Sequence, residues 1–157
     1  MIPEVIRFYI PQDPYGYCSN FSKHPVHIYD RLWPTSEHAF QAMKTLDHDT
    51  QELIRKQSSP GKACYIGRQI PLRADWNNVI GGSSLAFTPC VLVKDEIMFE
   101  IVLAKFQQNP GIRQELLSTG SAHLIEAAVS DPYWGEGCSK IGLNKLGQVL
   151  MRVRAQL

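Results

Sequence analysis

VLVKDEIMFEIVLAKFQQ, residues 91–108, is the longest stretch of the chain with the periodicity of a helix. Its side chains alternate between apolar and polar at the spacing that gives an α-helix one buried face. The residues that mark this face are Val91, Lys94 or Asp95, Met98, Val102 and Phe106. The stretch therefore predicts one long helix.

The segments before this helix predict two short β elements and three shorter helices. Residues 5–10 are rich in β-branched and aromatic side chains and run into Pro11-Gln-Asp-Pro, so they predict a strand followed by a loop. Residues 26–33 alternate around Asp30-Arg31 and predict a hairpin, although Asp-Arg is a poor two-residue turn. Helices are predicted at 36–46, from Asp49 or Thr50 through Lys56, and from Ser59-Pro60 through Arg68.

The segments around and after the long helix complete the predicted elements. Residues 76–89 are small, polar and turn-rich, and they predict an irregular loop. Asn109-Pro110 caps a short helix that Gly120 ends, residues 123–128 predict a strand, and a final helix runs from Leu143 to the C-terminus. Helices with a few short strands indicate an α+β fold, mainly helical, in a single domain spanning residues 1–157.

Composition excludes several classes of protein. The chain has 157 residues, with 16 Lys plus Arg against 15 Asp plus Glu, so no overall field attracts nucleic acid or an anionic membrane. Its cysteines lie far apart without a C-x-x-C pair, which indicates reduced thiols in a cytoplasmic protein. The N-terminal stretch carries an early acid and an arginine, so it predicts neither a secretory signal nor a membrane span.

The predicted helix over 36–46 carries a polar stripe. Glu37, Gln41 and Lys44 follow the i, i+4, i+7 spacing and lie on one helix face, with Phe40 and Met43 beside them. A ligand-binding face has this pattern. So has a solvent-exposed face with an acidic residue in the first turn, where it favours the helix dipole. Spacing alone leaves both interpretations open.

Two loops combine glycine with polar and aromatic groups. Residues 16–21, Gly-Tyr-Cys-Ser-Asn-Phe, offer hydrogen bonds for a sugar or base and two rings for stacking, although such loops are usually plain turns. Residues 131–137, Asp-Pro-Tyr-Trp-Gly-Glu-Gly, place a carboxylate beside two aromatic rings. The last helix opens after Gly142, and a helix N-terminus behind a glycine-rich loop suits an anion. Glycines are also common in ordinary turns, so the sequence does not decide between an anion-binding loop and a plain turn.

Metal and thiol chemistry are not predicted. His24 and His27 have no third ligand at a suitable spacing, and in a strand residues i and i+3 face opposite sides. Cys64 and Cys138 lack a neighbouring histidine that would favour a thiolate, so they are interpreted as small buried residues. We expect no metal and no cofactor.

Stretches along nearly the whole chain resemble the NADAR family, also called YbiA-like. These stretches are residues 14–21, 33–44, 104–110, 116–120, 124–127, 131–137 and 142–154. The resemblance implies a compact, mainly helical α+β fold and the cleavage of N-glycosidic bonds. One stretch departs from the family pattern, because residues 77–89 intervene between Asp75-Trp76 and the long helix. This insertion leaves open the place of Trp76 and the substrate.

The resemblance also implies roles for individual residues. Hydrolysis at an anomeric carbon passes through an oxocarbenium-like state, which requires a carboxylate, a base for water and help for the departing nitrogen. We expect Glu37 to orient or deprotonate the water or to stabilise the cation, and Asp131 to hold a ribose hydroxyl or assist the leaving group. Lys44 binds a phosphate, lowers the pKa of Glu37 or attacks an opened ribose as an amine, and the first role is preferred.

The remaining expectations concern the substrate. Residues expected to contact it are Gly16, Tyr17, Ser19, Asn20, Phe21, Gln41, Trp76, Trp134, Gly135 and Asn144, with phosphates near the start of the last helix. The function expected first is removal of ADP-ribose from guanine, with transient contact to ADP-ribosylated DNA or RNA. The alternatives are cleavage of ribosylaminopyrimidine phosphates of riboflavin biosynthesis, and binding of ADP-ribose or NAD without catalysis.

Overall fold

The computed structural model of the protein describes residues 3–80 and 91–157. The helices are α1 (Ser36–Ala42), α2 (His48–Arg55), α3 (Pro60–Gly67), α4 (Val93–Gln108), α5 (Pro110–Ser118) and α6 (Lys145–Gln156). The strands are β1 (Val5–Phe8), β2 (Val26–Ile28), β3 (Arg31–Trp33), β4 (Val79–Ile80), β5 (Val91–Leu92) and β6 (His123–Glu126). One turn of 3-10 helix, Gly16–Cys18, lies between β1 and β2. Helices with short strands confirm the predicted α+β class.

Helix α4 supplies much of the hydrophobic core. Its Ile101, Val102 and Phe106 are at most 1 % exposed, and the helix contacts α1, α5, α6 and β2. The predicted long helix is confirmed, but it begins at Val93 because the two residues before it pair with β4 as the antiparallel strand β5. Residues 81–89, the rest of the predicted irregular loop and insertion, lie outside the described residues.

Strands β1 and β6 pair an N-terminal segment with a segment of the C-terminal third of the chain. They pair in parallel, with Val5 opposite His123 and Phe8 opposite Glu126. Ile6, Phe8 and Leu124 are buried in the core at 2 % exposure or less, and α6 packs on β6. The pairing sets the end of β6 beside the residues that follow β1, and this edge borders the cavity described below.

Side-chain caps define the starts of α1, α2 and α3. For α1, Thr35 Oγ1 accepts the backbone N–H of His38 at 3.3 Å. For α3, Ser59 Oγ accepts the backbone N–H of Lys62 at 3.2 Å. Asp47 caps α2 through a 2.8 Å bond, so this helix begins slightly earlier than predicted. Helix α1 ends at Ala42 rather than near residue 46, because the N–H of Lys44 bonds to the carbonyl only three residues back.

The predicted hairpin is present with a different turn. Tyr29 and Asp30 have φ values of 53° and 59°, whereas Arg31 is already in β3 opposite Ile28. Two successive left-handed residues form the kind of turn whose twist matches the flanking strands. The prediction of Asp30-Arg31 as the turn was therefore wrong by one position.

The downstream elements follow the prediction with shifted ends. Strand β6 stops at Glu126, two residues earlier than predicted, and α6 begins at Lys145 rather than Leu143. Gly120 takes the predicted left-handed conformation, with φ 57°. The side chain of Asn109 does not cap α5 as predicted; its amide donates to the carbonyls of Pro25 and Lys105 instead.

Candidate active site

A cavity of about 500 Å³ brings together most of the predicted site residues. Its wall includes residues from α1 and α4, from the loop after the 3-10 turn, and from the segment between the end of β6 and residue 134. The predicted residues that line it are Glu37, Asp131, Lys44, Ser19, Asn20, Phe21, Gln41, Trp76 and Trp134. The stripe of α1 and the loop 131–137 therefore share one cavity, although the chemical roles assigned to them stay predictions.

Burial of α1 decides between the two interpretations of its polar stripe. Every residue of this short helix is buried, and Glu37 and Gln41 are only 7 % and 5 % exposed. Gln41 Nε2 donates to Glu37 Oε1 at 2.7 Å, and the N–H of Glu37 donates to the carbonyl of Asn20 at 3.1 Å. The stripe is therefore not a solvent-exposed helix face but part of the cavity wall.

Burial also controls the protonation of Glu37. It raises the pKa of this carboxyl, while the hydrogen bond from Gln41 and the charge of Lys44 act in the opposite direction. The predicted influence of Lys44 has the expected sign, but burial outweighs it. Lys44 therefore acts on the pKa of Glu37 in the direction suggested by the sequence, but burial sets the net shift.

Lys44 lies just after α1 with its amine turned toward α3. Its Nζ donates to the carbonyl of Gly67 at 3.3 Å and lies 6.0 Å from the centroid of the Phe40 ring. Burial lowers the pKa of Lys44, and the negative charge of Glu37 opposes this. Burial thus opposes the charge of each group, while the charge of each partner stabilises that of the other. A neutral amine suits a nucleophile, whereas phosphate binding requires the ammonium form.

Asp131 organises the loop that carries it. Its Oδ1 accepts the backbone N–H groups of Tyr133 at 3.0 Å and Trp134 at 2.8 Å. This local turn is the ordinary structural use of an aspartate that precedes proline and aromatic residues. The same side chain lines the cavity, so it both shapes the loop and presents a carboxylate to a ligand.

Aromatic rings form a continuous row along the cavity. The ring of Phe40 lies between those of Trp76 and Trp134, with centroid distances of 5.3 Å and 5.2 Å. The row continues to Tyr133 at 5.0 Å from Trp134, and Lys94 Nζ lies 3.9 Å from the Tyr133 centroid. Tilted and edge-to-face pairs of this kind hold one another rigidly. The row thus provides an apolar wall of mutually inclined rings that ends in a cation.

Gly16 and Tyr17 do not line the cavity, although they were expected to contact substrate. A side chain at Gly16 would meet the carbonyl oxygen of Ile10 at 2.5 Å, so glycine is required there for packing. Tyr17 is 8 % exposed, packs edge-on against Phe106, and offers its carbonyl to Lys105. Both residues pack against the protein and support the loop 16–21, and its later residues Ser19, Asn20 and Phe21 line the cavity.

Gly135 and Asn144 are likewise structural. A Cβ at Gly135 would lie 2.7 Å from that of Ala128, so this glycine permits a close approach. Asn144 is left-handed at φ 50°; its side-chain oxygen accepts the N–H of Glu126 and its side-chain nitrogen donates to the carbonyl of Leu124, both at 2.9 Å. The asparagine therefore locks β6 to the start of α6, and the expectation that it lines the nucleotide was wrong.

The predicted phosphate site at the start of α6 is already occupied by protein. The backbone N–H groups of residues 143–146 donate in turn to the carbonyls of Pro132, Gly135, Tyr133 and Trp134, at 2.7–3.1 Å. A helix N-terminus binds an anion through unpaired N–H groups. Because these four are paired with the loop 131–137, this prediction was wrong.

Several residues of the cavity escaped prediction. Glu126 lies at the end of β6, and Arg68 and Lys94 come from the end of α3 and the first turn of α4. Burial, reinforced by the charges of Asp131 and Glu37, raises the pKa of Glu126 to about 8. Residues 124–127 are among the stretches that resemble the NADAR family, and this resemblance could have pointed to Glu126. Arg68 and Lys94 carry no local pattern that distinguishes them from surface cations.

The cysteines differ from expectation in their exposure. Cys138 is exposed and Cys64 is only partly buried, whereas Cys18 is buried, and all three are free thiols. Cys64 lines the cavity with its sulfur 3.8 Å from Gln41 Nε2. Burial and the charge of Glu37 raise the pKa of Cys64 to about 11. The thiol form dominates at neutral pH, so the prediction that it is not a nucleophile agrees with its surroundings.

The described ranges contain neither a candidate metal cluster nor a candidate membrane-spanning helix. Residues 3–80 and 91–157 hold no cluster of three or more metal-ligating side chains. No helix in the same ranges combines the length and apolar character of a membrane span. His24 precedes β2 instead of lying in it, and its ring contacts Ser22 Oγ at 3.1 Å.

Comparison with known proteins places this geometry in context. The model of the NADAR domain family matches residues 7–157. The chain is 41% identical over 155 residues to N-glycosidase YbiA of Escherichia coli (strain K12), which covers 98% of this chain and 88% of the relative. It is also 41% identical to N-glycosidase Npun_R5314 of Nostoc punctiforme over 157 residues, covering 97% of this chain and 92% of the relative.

A solved structure and a longer relative complete the comparison. The NMR structure of E. coli YbiA matches with a TM-score of 0.82 and 40% identity, over 99% of this chain and 86% of that one. The riboflavin biosynthesis protein VVA0006 of Vibrio vulnificus is 31% identical over 159 residues. That match spans 100% of this chain but only 40% of the relative.

Proposed function

We propose that this chain, which belongs to the NADAR family, is an N-glycosidase that removes ADP-ribose from guanine in nucleic acid. Relatives that it matches over nearly their whole length are named N-glycosidases, and this supports the coarser activity. The observation that carries the proposal is a single cavity where Glu37, Asp131 and Glu126 meet a row of aromatic rings. Carboxyl groups beside an apolar wall suit an oxocarbenium-like transition state and a flat base.

The catalytic roles follow the needs of the bond that breaks. Glu37 orients or deprotonates the attacking water, or stabilises the positive charge that develops at the anomeric carbon. Its fixed bond to Gln41 supports this role, because a carboxyl held at 2.7 Å needs little reorganisation during reaction. Asp131 holds a ribose hydroxyl with the oxygen that its own loop does not occupy.

Recognition of the base uses the aromatic row and a buried amide. Trp134 and Trp76 border the cavity on either side of Phe40 and suit stacking on a purine. Asn20 Oδ1 is buried without a hydrogen-bond donor among the described residues. A buried acceptor without a partner costs free energy until a ligand donates to it. The N–H groups of guanine are donors of this kind.

Recognition of the phosphates uses cations from different helices. Lys44 reaches the cavity from just after α1, Arg68 from the end of α3 and Lys94 from the first turn of α4. Separate cations suit the two phosphates of ADP-ribose better than a single point of charge does. Arg68 and Lys94 are therefore assigned to phosphate binding, and Lys44, whose pKa is lowered by burial, is assigned to the sugar as an amine.

A second candidate is cleavage of ribosylaminopyrimidine phosphates. The observation that favours it is the similarity to a relative named as a riboflavin biosynthesis protein. This chain spans less than half of that relative, so the name concerns a protein with additional sequence. Both candidates require the same bond chemistry, and they differ in the base and in the number of phosphates.

The test compares hydrolysis of two substrates by the same protein. A guanine oligonucleotide carrying ADP-ribose and, separately, the ribosylaminopyrimidine phosphate are incubated with the wild type, and the released sugar phosphate is followed by mass. We expect release of ADP-ribose at the faster rate. Faster cleavage of the pyrimidine substrate supports the second candidate, and tight ADP-ribose binding without any release supports a non-catalytic binder. Glu115→Gln, at an exposed glutamate, is the matched control for carboxylate substitutions.

A further inference from the structure

Glu126 is the carboxyl of the cavity whose side chain is least committed to the protein. Among residues 3–80 and 91–157, no hydrogen bond or ion pair to its carboxyl is formed, whereas Glu37 accepts from Gln41 and Asp131 accepts from its own loop. A carboxyl that lines a cavity without a protein partner is available to a ligand. Among these three acids, Glu126 therefore has the carboxyl group that is most available to a ligand.

The backbone around Glu126 is nevertheless held firmly. Its N–H donates to Asn144 Oδ1 and its carbonyl accepts the N–H of Glu136, both at 2.9 Å. The next residue, Ala127, donates its N–H to the carbonyl of Phe8 at 2.9 Å. A free side chain on a fixed backbone is the arrangement expected of a group that must meet substrate at one position.

The surroundings of Glu126 favour its protonated form. Burial raises the pKa of the carboxyl to about 8, and the negative charges of Asp131 and Glu37 add to the effect. The cations that line the same cavity do not reverse this direction; they are Lys44 just after α1, Arg68 at the end of α3 and Lys94 on α4.

The weaker acids of the cavity stay protonated as well. Burial raises the pKa of Cys64 to about 11 and raises that of Tyr133, whose hydroxyl donates to Asp95. Neither group therefore adds a negative charge near Glu126 at neutral pH. A carboxylic acid is the strongest proton donor that the cavity presents.

We infer that Glu126 is a catalytic residue that donates a proton to the departing nitrogen, an inference that rests on the proposed N-glycosidase function. As the bond between C1′ and nitrogen breaks, its electron pair stays on nitrogen, and that nitrogen takes the proton of Glu126. Water adds its oxygen to C1′ and transfers a proton to the Glu37 carboxylate. The cycle leaves Glu126 ionised and Glu37 protonated, and exchange with solvent restores both. In this scheme Asp131 binds the ribose hydroxyl and does not protonate the leaving group.

The experiment measures kcat at saturating ADP-ribosylated oligonucleotide from about pH 5.5 to about 9.5, a range that brackets the pKa of about 8 of Glu126. For the wild type we expect kcat to fall above about pH 8, tenfold per pH unit, as Glu126 loses its proton. For Glu126→Gln we expect a loss of about 10²–10⁴-fold and no fall above pH 8. Glu126→Asp, which restores an acid, should recover part of the rate and the alkaline fall.

Each contrary outcome overturns a defined part of the account. A Glu126→Gln variant with kcat within about threefold of the wild type, or a slow variant that keeps the alkaline fall, overturns the role of Glu126 alone. A wild type that releases nothing from either substrate overturns the proposed function and this role with it. Circular dichroism and thermal unfolding of the variant at pH 7 establish that it is folded, and Glu115→Gln serves as the control.

Discussion

Three carboxyl groups share one cavity, so their proton affinities depend on one another. Burial raises the pKa of Glu37, and burial with the charges of Asp131 and Glu37 raises that of Glu126 to about 8. Like charges at close range cannot all be present without cost, so the protons belong to the group rather than to one residue. Such coupling divides acid and base roles between chemically identical side chains.

The raised pKa of Glu126 predicts a pH-dependent stability. The folded-state value of about 8 exceeds the ordinary 4.5, so the unfolded chain loses its proton first as pH rises. The wild type should therefore lose unfolding free energy between about pH 4.5 and 8. Glu126→Gln removes this contribution, and we expect it to be more stable than the wild type at pH 9, by on the order of 2 kcal/mol. Urea unfolding at pH 5 and pH 9 measures the difference.

The control for this prediction is Glu115→Gln, because Glu115 is exposed. It should change the unfolding free energy by less than about 0.5 kcal/mol at either pH. If Glu126→Gln and wild type show the same difference between pH 5 and pH 9, the protonated state of Glu126 is refuted.

Gly67 is predicted to leave the space that the Gln41 side chain occupies, because a side chain at residue 67 would collide with it. A Cβ at this position would lie 2.8 Å from Gln41 Cβ and 2.9 Å from its Cδ, so Gly67→Ala must displace the amide that bonds to Glu37. We expect kcat to fall by at least about tenfold, the effect of lost positioning at a reacting group. Gly111→Ala is the matched control, because its Cβ would meet nothing within 4 Å. Equal rates for the two variants would contradict this role of Gly67.

At the scale of elements, Lys105 connects α4 to the loop that carries Ser19 and Asn20. Its Nζ is buried and donates to the carbonyls of Tyr17 at 2.6 Å and Ser19 at 3.0 Å, and to Ser22 Oγ at 2.8 Å. Burial lowers the pKa of Lys105 to about 7. No other described cation makes three such bonds to one loop, so Lys105 contributes strongly to the position of this part of the cavity, together with the bond from the N–H of Glu37 to the carbonyl of Asn20.

Lys105→Met tests this dependence with a side chain of similar length. Buried acceptors left without a donor cost about 1–3 kcal/mol each, partly offset because no amine is buried. We expect a net loss of about 2 kcal/mol in unfolding free energy and a raised KM. Lys23→Met, at an exposed lysine of the same loop, is the control. A Lys105→Met variant as stable as the control would show that the bonds contribute nothing.

Elements that depend on neighbouring residues were predictable, and those that depend on distant ones were not. Thr35 and Ser59 cap helices through the N–H three residues on, so their sequence signal is local. The N–H groups of residues 143–146 are paired with carbonyls of the 131–137 loop, a contact that the glycine pattern does not reveal. The raised pKa of Glu126 likewise comes from burial and from the charges of Asp131 and Glu37, and only the fold creates these surroundings.

At the scale of the whole molecule, near-zero net charge predicts a weak dependence on salt. The formal charge is +1, so recognition of a modified oligonucleotide should rest on the cavity rather than on many phosphate contacts. Proteins that neutralise many phosphates lose about 10³–10⁵ in affinity between about 50 and 200 mM salt. We expect KM for the ADP-ribosylated oligonucleotide to rise less than about tenfold over this range. A steeper rise would indicate an extended nucleic-acid surface.

The central claim is that Glu37 acts on the anomeric carbon from within the shared cavity. The most direct measurement is single-turnover release of ADP-ribose from modified guanine by wild type, Glu37→Gln and Glu115→Gln at pH 7. We expect Glu37→Gln to be slower by about 10²–10⁴-fold, because the carboxylate is lost while the amide keeps its shape. Glu115→Gln should match the wild type. Full hydrolysis by Glu37→Gln would contradict the account.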